Sequence, residues 1–571
     1  MSKTAQERFN RLLMLVQSGA QSGQWEAANK AVAAALQATP KDPNILHLAA
    51  QIAESKGEAD RAIVFYRRAL VAYPNWFEAG MNLARVLSSS RQTPDAIAVL
   101  KALAPHHPQR PEVWEGLARL SQTTNDLPQA TEAWRRALAL RPDNIEGRGQ
   151  YHFCLRQLCE WGETLGADAN LPPNITAIMF DDPALQKESA MRFSARRFGA
   201  IAPLPAPPTY HHERLRVGYL SSDFHAHATS WLIAELFSLH DRSKFEVYAY
   251  SYGIEDHSAI RERLRREADH FVELNALTAV GCASRIRSDE IDVLIDLKGH
   301  TTGGHLDILA YRPAPKQLHW LGFPATTGAA FVDGFIADSV TVPEGTEAFF
   351  TEKVLRMPHT YQINDRQKTI GASKAKSDYG LPENALVLAS FNQTYKITPE
   401  VFAVWCDLLR ENPDSVLWLL EANPYAPERL RKAAQENGLD PARLHFAKPA
   451  AQEEHLARYR VVDLALDTFP VGGHTTTSDA LWVGAPVVTM AGKSFVSRVA
   501  ASLLTAAELP QLITNNLEDY KKLALRLAKD KSERDALRAH LTEKRLPLPL
   551  FDTPQFVKDF EGIIESSSRT K

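Results

Sequence analysis

The sequence predicts an α-helical repeat superhelix followed by two Rossmann-like α/β lobes. Three observations carry that fold class: prolines recurring every 34 residues in the first quarter, the loss of that register after Pro142, and two successive series of short β-rich runs from Leu215 onward. At roughly 100–200 residues per domain, 571 residues make several domains. The balance of 44% hydrophobic to 23% charged residues is that of a globular chain.

Pro40, Pro74, Pro108 and Pro142 mark the repeat. Twelve residues before each stands an alanine (Ala28, Ala62, Ala96, Ala130), and eight before it a larger apolar residue (Val32, Tyr66, Leu100, Trp134). Ala50, Ala84 and Ala118 supply further small positions. Each unit therefore reads as two helices packed closely through alanines, with proline ending the second. This register resembles the tetratricopeptide repeat, and residues 9–144 are assigned to four such units. Repeats of this kind stack into a solenoid with a concave face, which implies a protein or peptide partner. Residues 145–213 form a helical and linker region that includes the proline-rich IAPLPAPPTYHH.

RVGYL, FEVYAYSY, IDVLIDLKG, KQLHWLGF and GFIADSV predict an open α/β sheet in a first lobe, residues 214–380. ALVLASF, SVLWLLE, RLHFAKP, DLALDTF and PVVTMAG predict a second in residues 381–545. A C-terminal helix within 546–571 is expected to cross back to the first lobe. Two doubly wound domains in tandem create a cleft at the carboxyl ends of their strands, where nucleotides bind in such folds.

The sharpest local signal is LDTFPVGGHTTTSDALWVGAP, a strand, a turn through Gly472 and Gly473, and a helix starting at the threonines. Backbone N–H groups, the helix dipole and the hydroxyls of Thr475, Thr476 and Thr477 converge where a pyrophosphate can sit. Asp479 is placed to accept from ribose hydroxyls, and His474 to donate to a phosphate or pack beside it. SFNQTYKITPEVF sets Gln393 and Lys396 between a strand and a helix, where the ammonium can neutralise a departing diphosphate. No Asp-x-Asp clamp for a divalent ion occurs, so no metal is expected. SSDFHAHATSW brings Asp223, His225 and His227 after the first strand. The histidine pair has the spacing of zinc ligands, but a substrate contact or proton acceptor is the preferred reading.

A net charge of -3, from 65 basic and 68 acidic residues, provides no field to gather nucleic acid or an anionic membrane. Four cysteines make no disulfide framework, and neither a secretory start nor a spanning apolar run is evident, so a cytoplasmic protein is expected.

With tetratricopeptide repeats ahead of them, DFHAH, RPAPKQLHWLGFPATTG, FNQTYKITPEVFAVW, SVLWLL, EEHLARY and GGHTTTSDALWVGAPVVTM, in this order, closely resemble the O-linked N-acetylglucosamine transferases, in particular bacterial members. The resemblance implies a GT-B fold and metal-independent, inverting transfer of N-acetylglucosamine from UDP to protein serine or threonine hydroxyls, with no cofactor beyond the UDP-sugar donor. It further implies a catalytic group of His227, Asp223 and Lys396, with His227 as base or acceptor-side contact and Lys396 neutralising UDP. Gln393 then contacts the diphosphate, His455 stacks on uracil beside the Ala450 backbone, and Thr475, Thr476 and Asp479 hold phosphate and ribose next to His474. Leu321, Gly322 and Pro324 form part of the wall near sugar and acceptor.

The chain departs from the animal pattern in several places. Gln452 stands where animal members carry a ribose-binding lysine, Val471 replaces a cysteine near the sugar, residues 161–210 hold no histidine, and the long insert between the lobes is missing. Alternative readings keep the fold with GDP-fucose, as in the SPINDLY proteins, or UDP-glucose as donor, or make the chain a nucleotide-sugar-sensing scaffold. The acceptor is expected in the repeat groove and the cleft, and an oligomer is compatible with the sequence.

Overall fold

The structure, a computed structural model, describes residues 3–22, 25–206 and 210–569. Pro207, Pro208 and Thr209 of the proline-rich linker lie outside the described residues, as do Met1 and Ser2 of the amino terminus. The chain forms two compact units, residues 1–155 and 156–571.

The first unit is a stack of antiparallel helix pairs. Glu26–Ala38, Ala59–Ala72, Thr93–Leu103 and Leu127–Leu140 are the second helices, and the four periodic prolines fall in the turns after them. Ala28, Ala62, Ala96 and Ala130 are buried, and Tyr66 and Trp134 are sealed between helices. Each such aromatic removes enough apolar surface to contribute about 1.5–3 kcal/mol. Helix spacing is tight enough that a Cβ at Gly80 would overlap Leu103.

The second unit holds two parallel sheets. The first contains β1 (Leu215–Ser221), β2 (Phe245–Ser251), β3 (His270–Glu273), β4 (Val293–Asp296), β5 (Lys316–His319), β6 (Gly334–Asp338) and β7 (Lys353–Met357) in the order β3-β2-β1-β4-β5-β6-β7. The second contains β8 (Leu386–Ser390), β9 (Ser415–Leu420), β10 (Leu444–Ala447), β11 (Leu464–Leu466), β12 (Val487–Met490) and β13 (Ile513–Thr514) in the order β10-β9-β8-β11-β12-β13. Every β4 and β6 residue is buried, as expected of parallel strands covered on both faces. In both sheets the chain first builds outward on one side and then on the other. The switch points therefore lie between β1 and β4 and between β8 and β11, where crevices open at the strand ends.

The helix Thr553–Arg569 packs on the first lobe: the Phe560 ring lies 4.4 Å from that of Trp320, and Glu561 accepts from the Asp241 backbone N–H at 2.8 Å. Among the described residues no helix is long and apolar enough to cross a membrane.

Candidate active site

At the second-lobe switch point, β11 leads through Asp467 and the glycine pair into the helix Thr475–Val483. The buried Asp467 carboxylate accepts from Gly473 N at 2.6 Å, Thr489 Oγ1 at 2.6 Å and Asn392 Nδ2 at 3.1 Å. A side chain at Gly473 would overlap the hydroxyls of Thr477 and Thr476, so only glycine permits this turn. Asn392, just after β8, also donates to Thr468 Oγ1 and accepts from Thr476 Oγ1 at 2.7 Å. The Thr476 hydroxyl proton is thereby committed to Asn392. What Thr476 offers the cleft is its backbone N–H at the helix start.

Lys396 donates from Nζ to the Gly472 carbonyl at 2.8 Å. Burial lowers its pKa to about 8, with the charge of Asp467 opposing the shift. The ammonium is thus still mostly protonated at neutral pH, and its charge lies beside the positive end of a helix. Two positive features with one buried carboxylate behind them make an anion site.

His474 stands at the turn beside this anion site. Burial, then the nearby Lys396 charge, holds its pKa down at about 3, so the ring is neutral. Its backbone hydrogen-bond partner is the Val496 carbonyl, while Nε2 is buried with no partner. In the tautomer whose proton faces that carbonyl, Nε2 is an acceptor. It suits a hydroxyl or amide N–H and repels a phosphate oxygen.

These groups line a cavity of about 260 Å³. Its second-lobe wall is Tyr395, Lys396, Val471, His474, Thr475 and Thr476. Thr301, Gly322, Phe323 and Pro324 face them from the first lobe, and Asn174, Ala177 and Ile178 close a third side from the helix Pro173–Met179. Gly322 is required where it stands, since a Cβ would strike the Leu297 carbonyl. Leu321 turns instead into the core, at φ 71°, a backbone position that costs a bulky residue about 1–3 kcal/mol.

The model of glycosyl transferase family 41 matches residues 204–374 and 367–560, and tetratricopeptide-repeat models match 13–75 and 53–120. The chain belongs to glycosyl transferase family 41. Among relatives, the probable UDP-N-acetylglucosamine–peptide N-acetylglucosaminyltransferase SEC of Arabidopsis thaliana is 39% identical over 65% of this chain and 39% of its own length. The Caenorhabditis elegans UDP-N-acetylglucosamine–peptide N-acetylglucosaminyltransferase is 32% identical over 62% and 40%. The chain thus spans about two fifths of the length of these relatives. A solved structure of a mutant O-GlcNAc transferase from Thermobaculum terrenum aligns over 100% of this chain and 99% of its own, with 27% identity and a TM-score of 0.66.

In this family member the first-lobe switch point carries a second carboxylate. Asp223, after β1, receives Lys298 Nζ, after β4, on both oxygens at 2.9 Å, and both side chains are buried. So clamped, Asp223 is an orienting group. His227 caps the helix Ala228–Ile233: its Nδ1 accepts from Thr229 N at 3.2 Å, 0.2 Å closer than Asp223 Oδ2 at 3.4 Å. Burial depresses its pKa. Nδ1 thus lies between the Thr229 amide and the Asp223 carboxylate, and in a neutral ring Nε2 is a donor when Nδ1 accepts from Thr229 and an acceptor when Nδ1 donates to Asp223. His225, the other half of the considered metal pair, lies 5.6 Å away, ring to ring.

At the nucleoside end, His455 packs edge-on against Phe391 and Tyr459, and burial lowers its pKa, leaving a neutral ring for stacking. Ala450 is exposed in the loop before its helix, Gln452–Arg458. Asp479, buried in the first turns of the threonine helix, pairs with Lys368 Nζ at 2.9 Å, and Gln452 Nε2 reaches its other oxygen at 3.4 Å. Gln393 is exposed, immediately before the turn Thr394–Lys396.

Sequence reasoning missed Asn392, Asp467, Lys298 and Lys368. The first three sit directly after strands that flank a switch point, and that position was a usable signal. Lys368 lies in the segment joining the lobes, where nothing local marks it.

Proposed function

We propose that the chain is an inverting, metal-independent protein O-glycosyltransferase that moves N-acetylglucosamine from UDP-N-acetylglucosamine to serine or threonine hydroxyls, with the repeat unit binding the acceptor protein. The single observation that carries the reading is Lys396, held against the Gly472 carbonyl beside the Thr475 helix terminus. The acceptor hydroxyl oxygen bonds to the anomeric carbon and releases its proton, ultimately to solvent, as the bond to the diphosphate breaks, and the negative charge gathering on the bridging oxygen meets this ammonium. No cofactor enters. Relatives of the catalytic region are named for this donor and for peptide acceptors, and the cavity beside Lys396 has room for one sugar. Its acceptor atom, His474 Nε2, suits a sugar hydroxyl or acetamido N–H. Cys154, Cys159, Cys282 and Cys406 are buried and unpaired, which agrees with a reducing cytoplasm.

The test incubates purified protein with labelled UDP-N-acetylglucosamine, UDP-glucose and GDP-fucose and a cell lysate, with and without chelator. Transfer from the first donor, unaffected by chelator, is expected. Preference for another donor, or chelator-sensitive transfer, refutes the reading.

A further inference from the structure

Asn364–Lys368, between β7 and β8, is pinned along its length. The Asn364 amide donates to the Leu550 carbonyl at 3.2 Å, and its own carbonyl accepts from Thr553 Oγ1 at 2.7 Å. Asp365 makes a two-pronged pair with Arg263 at 2.7 and 3.2 Å, and Arg366 binds Glu235 through both backbone and guanidinium. The strap is therefore fixed from the first lobe and the C-terminal segment. Its last side chain, Lys368, crosses to the second lobe and meets Asp479 with 1% of its side chain exposed.

We propose that Lys368 is a positioning residue of the nucleotide site, holding the Asp479 carboxylate to accept from ribose hydroxyls and offering its remaining N–H to a ribose oxygen. An ammonium has three donors, and Asp479 and Asn364 Oδ1, at 2.9 and 3.3 Å, take two. Asp479 keeps acceptor capacity too, because a carboxylate has about four lone-pair sites and Lys368 and Gln452 use two. Both charges act on the His455 ring, which places the pair at the nucleoside end and away from Lys396. The proposal rests on the nucleotide reading above.

The experiment measures calorimetric affinities for UDP, 2′-deoxy-UDP and 3′-deoxy-UDP in the full chain and in K368M, K368R and K396M, with melting temperatures alongside. The unsubstituted protein should prefer UDP over at least one deoxy analogue by roughly ten- to hundredfold, the range of one hydrogen bond to a charged group. In K368M that preference should collapse toward unity, K368R should restore part of it, and K396M should weaken UDP while keeping the preference. Retention of the ribose preference in folded K368M overturns the inference while leaving the nucleotide reading intact. Failure of the unsubstituted chain to bind UDP at all overturns both. If K368M does not fold, the double variant K368M/D479N removes both charges and leaves none unpaired. It must then show no ribose preference, and a preserved one refutes the role.

Discussion

Each lobe places a carboxylate at its switch point, after β1 in the first and after β11 in the second, and the two are used in opposite ways. In the first, Asp223 is clamped on both oxygens by Lys298, so the charges cancel and the crevice is electrically closed. In the second, Asp467 is held by neutral donors, Gly473 N, Thr489 and Asn392, while Lys396 reaches past it to a carbonyl. The cation is left facing the cleft beside a helix terminus. One fold thus yields a structural ion pair in one lobe and an anion receptor in the other, and the difference lies in which partner the lysine finds.

The largest effect that would sharpen this contrast is on stability. Lys298→Met leaves Asp223 buried and uncompensated and should cost about 3–5 kcal/mol in denaturant unfolding, with UDP affinity unchanged. A matched loss of UDP affinity would break the distinction between the lobes. The second-lobe lysine should instead show itself through pH. Its pKa is lowered by burial from 10.5 to about 8, so it is mostly charged at neutral pH, half charged near pH 8 and increasingly neutral above that. Turnover should therefore fall by up to tenfold per pH unit above about 8 while UDP affinity falls far less, and Lys396→Met should flatten the profile. The sign for folding is the reverse. The burial penalty is complete below pH 8 and is relieved between 8 and 10.5, so this group makes the unliganded protein more stable with rising pH across that window.

Smaller effects follow the hydrogen-bond chain. Asn392→Ala leaves Asp467 and Thr476 each one partner short and should weaken UDP binding by about 1–3 kcal/mol, measurable by calorimetry. Thr476→Val keeps the backbone N–H and loses only the hydroxyl bonded to Asn392. A loss of about 1 kcal/mol or less is expected in the same assay, and a larger one would mean that the hydroxyl itself binds phosphate.

Much of the fold was legible because it is written in period and punctuation. The 34-residue spacing of Pro40, Pro74, Pro108 and Pro142 marks the ends of the second repeat helices, and Gly472, Gly473 and the threonines mark the helix start at Thr475. The strands missed, His270–Glu273, Lys353–Met357 and Ile513–Thr514, are all sheet edges. Edge strands are shorter or more exposed, so they lack the continuous apolar run of Val293–Asp296. The candidate site divides the same way. Residues carried by a turn or a helix start were visible, but the partners that hold them in place were not. Lys298 meets Asp223 across 75 positions and Lys368 meets Asp479 across 111, and a buried lysine carries no local mark of which carboxylate it meets. The tautomers of His227 and His474 likewise depend on the Thr229 amide and the Val496 carbonyl, whose orientations exist only in the folded chain.

The central claim is that Lys396 stabilises the departing diphosphate more than it anchors the bound donor. Turnover and UDP affinity of Lys396→Met, measured side by side in chelator, test this most directly. The account predicts that turnover falls by about 2–4 kcal/mol in barrier terms, with a much smaller loss of affinity. Equal losses in both quantities would contradict it.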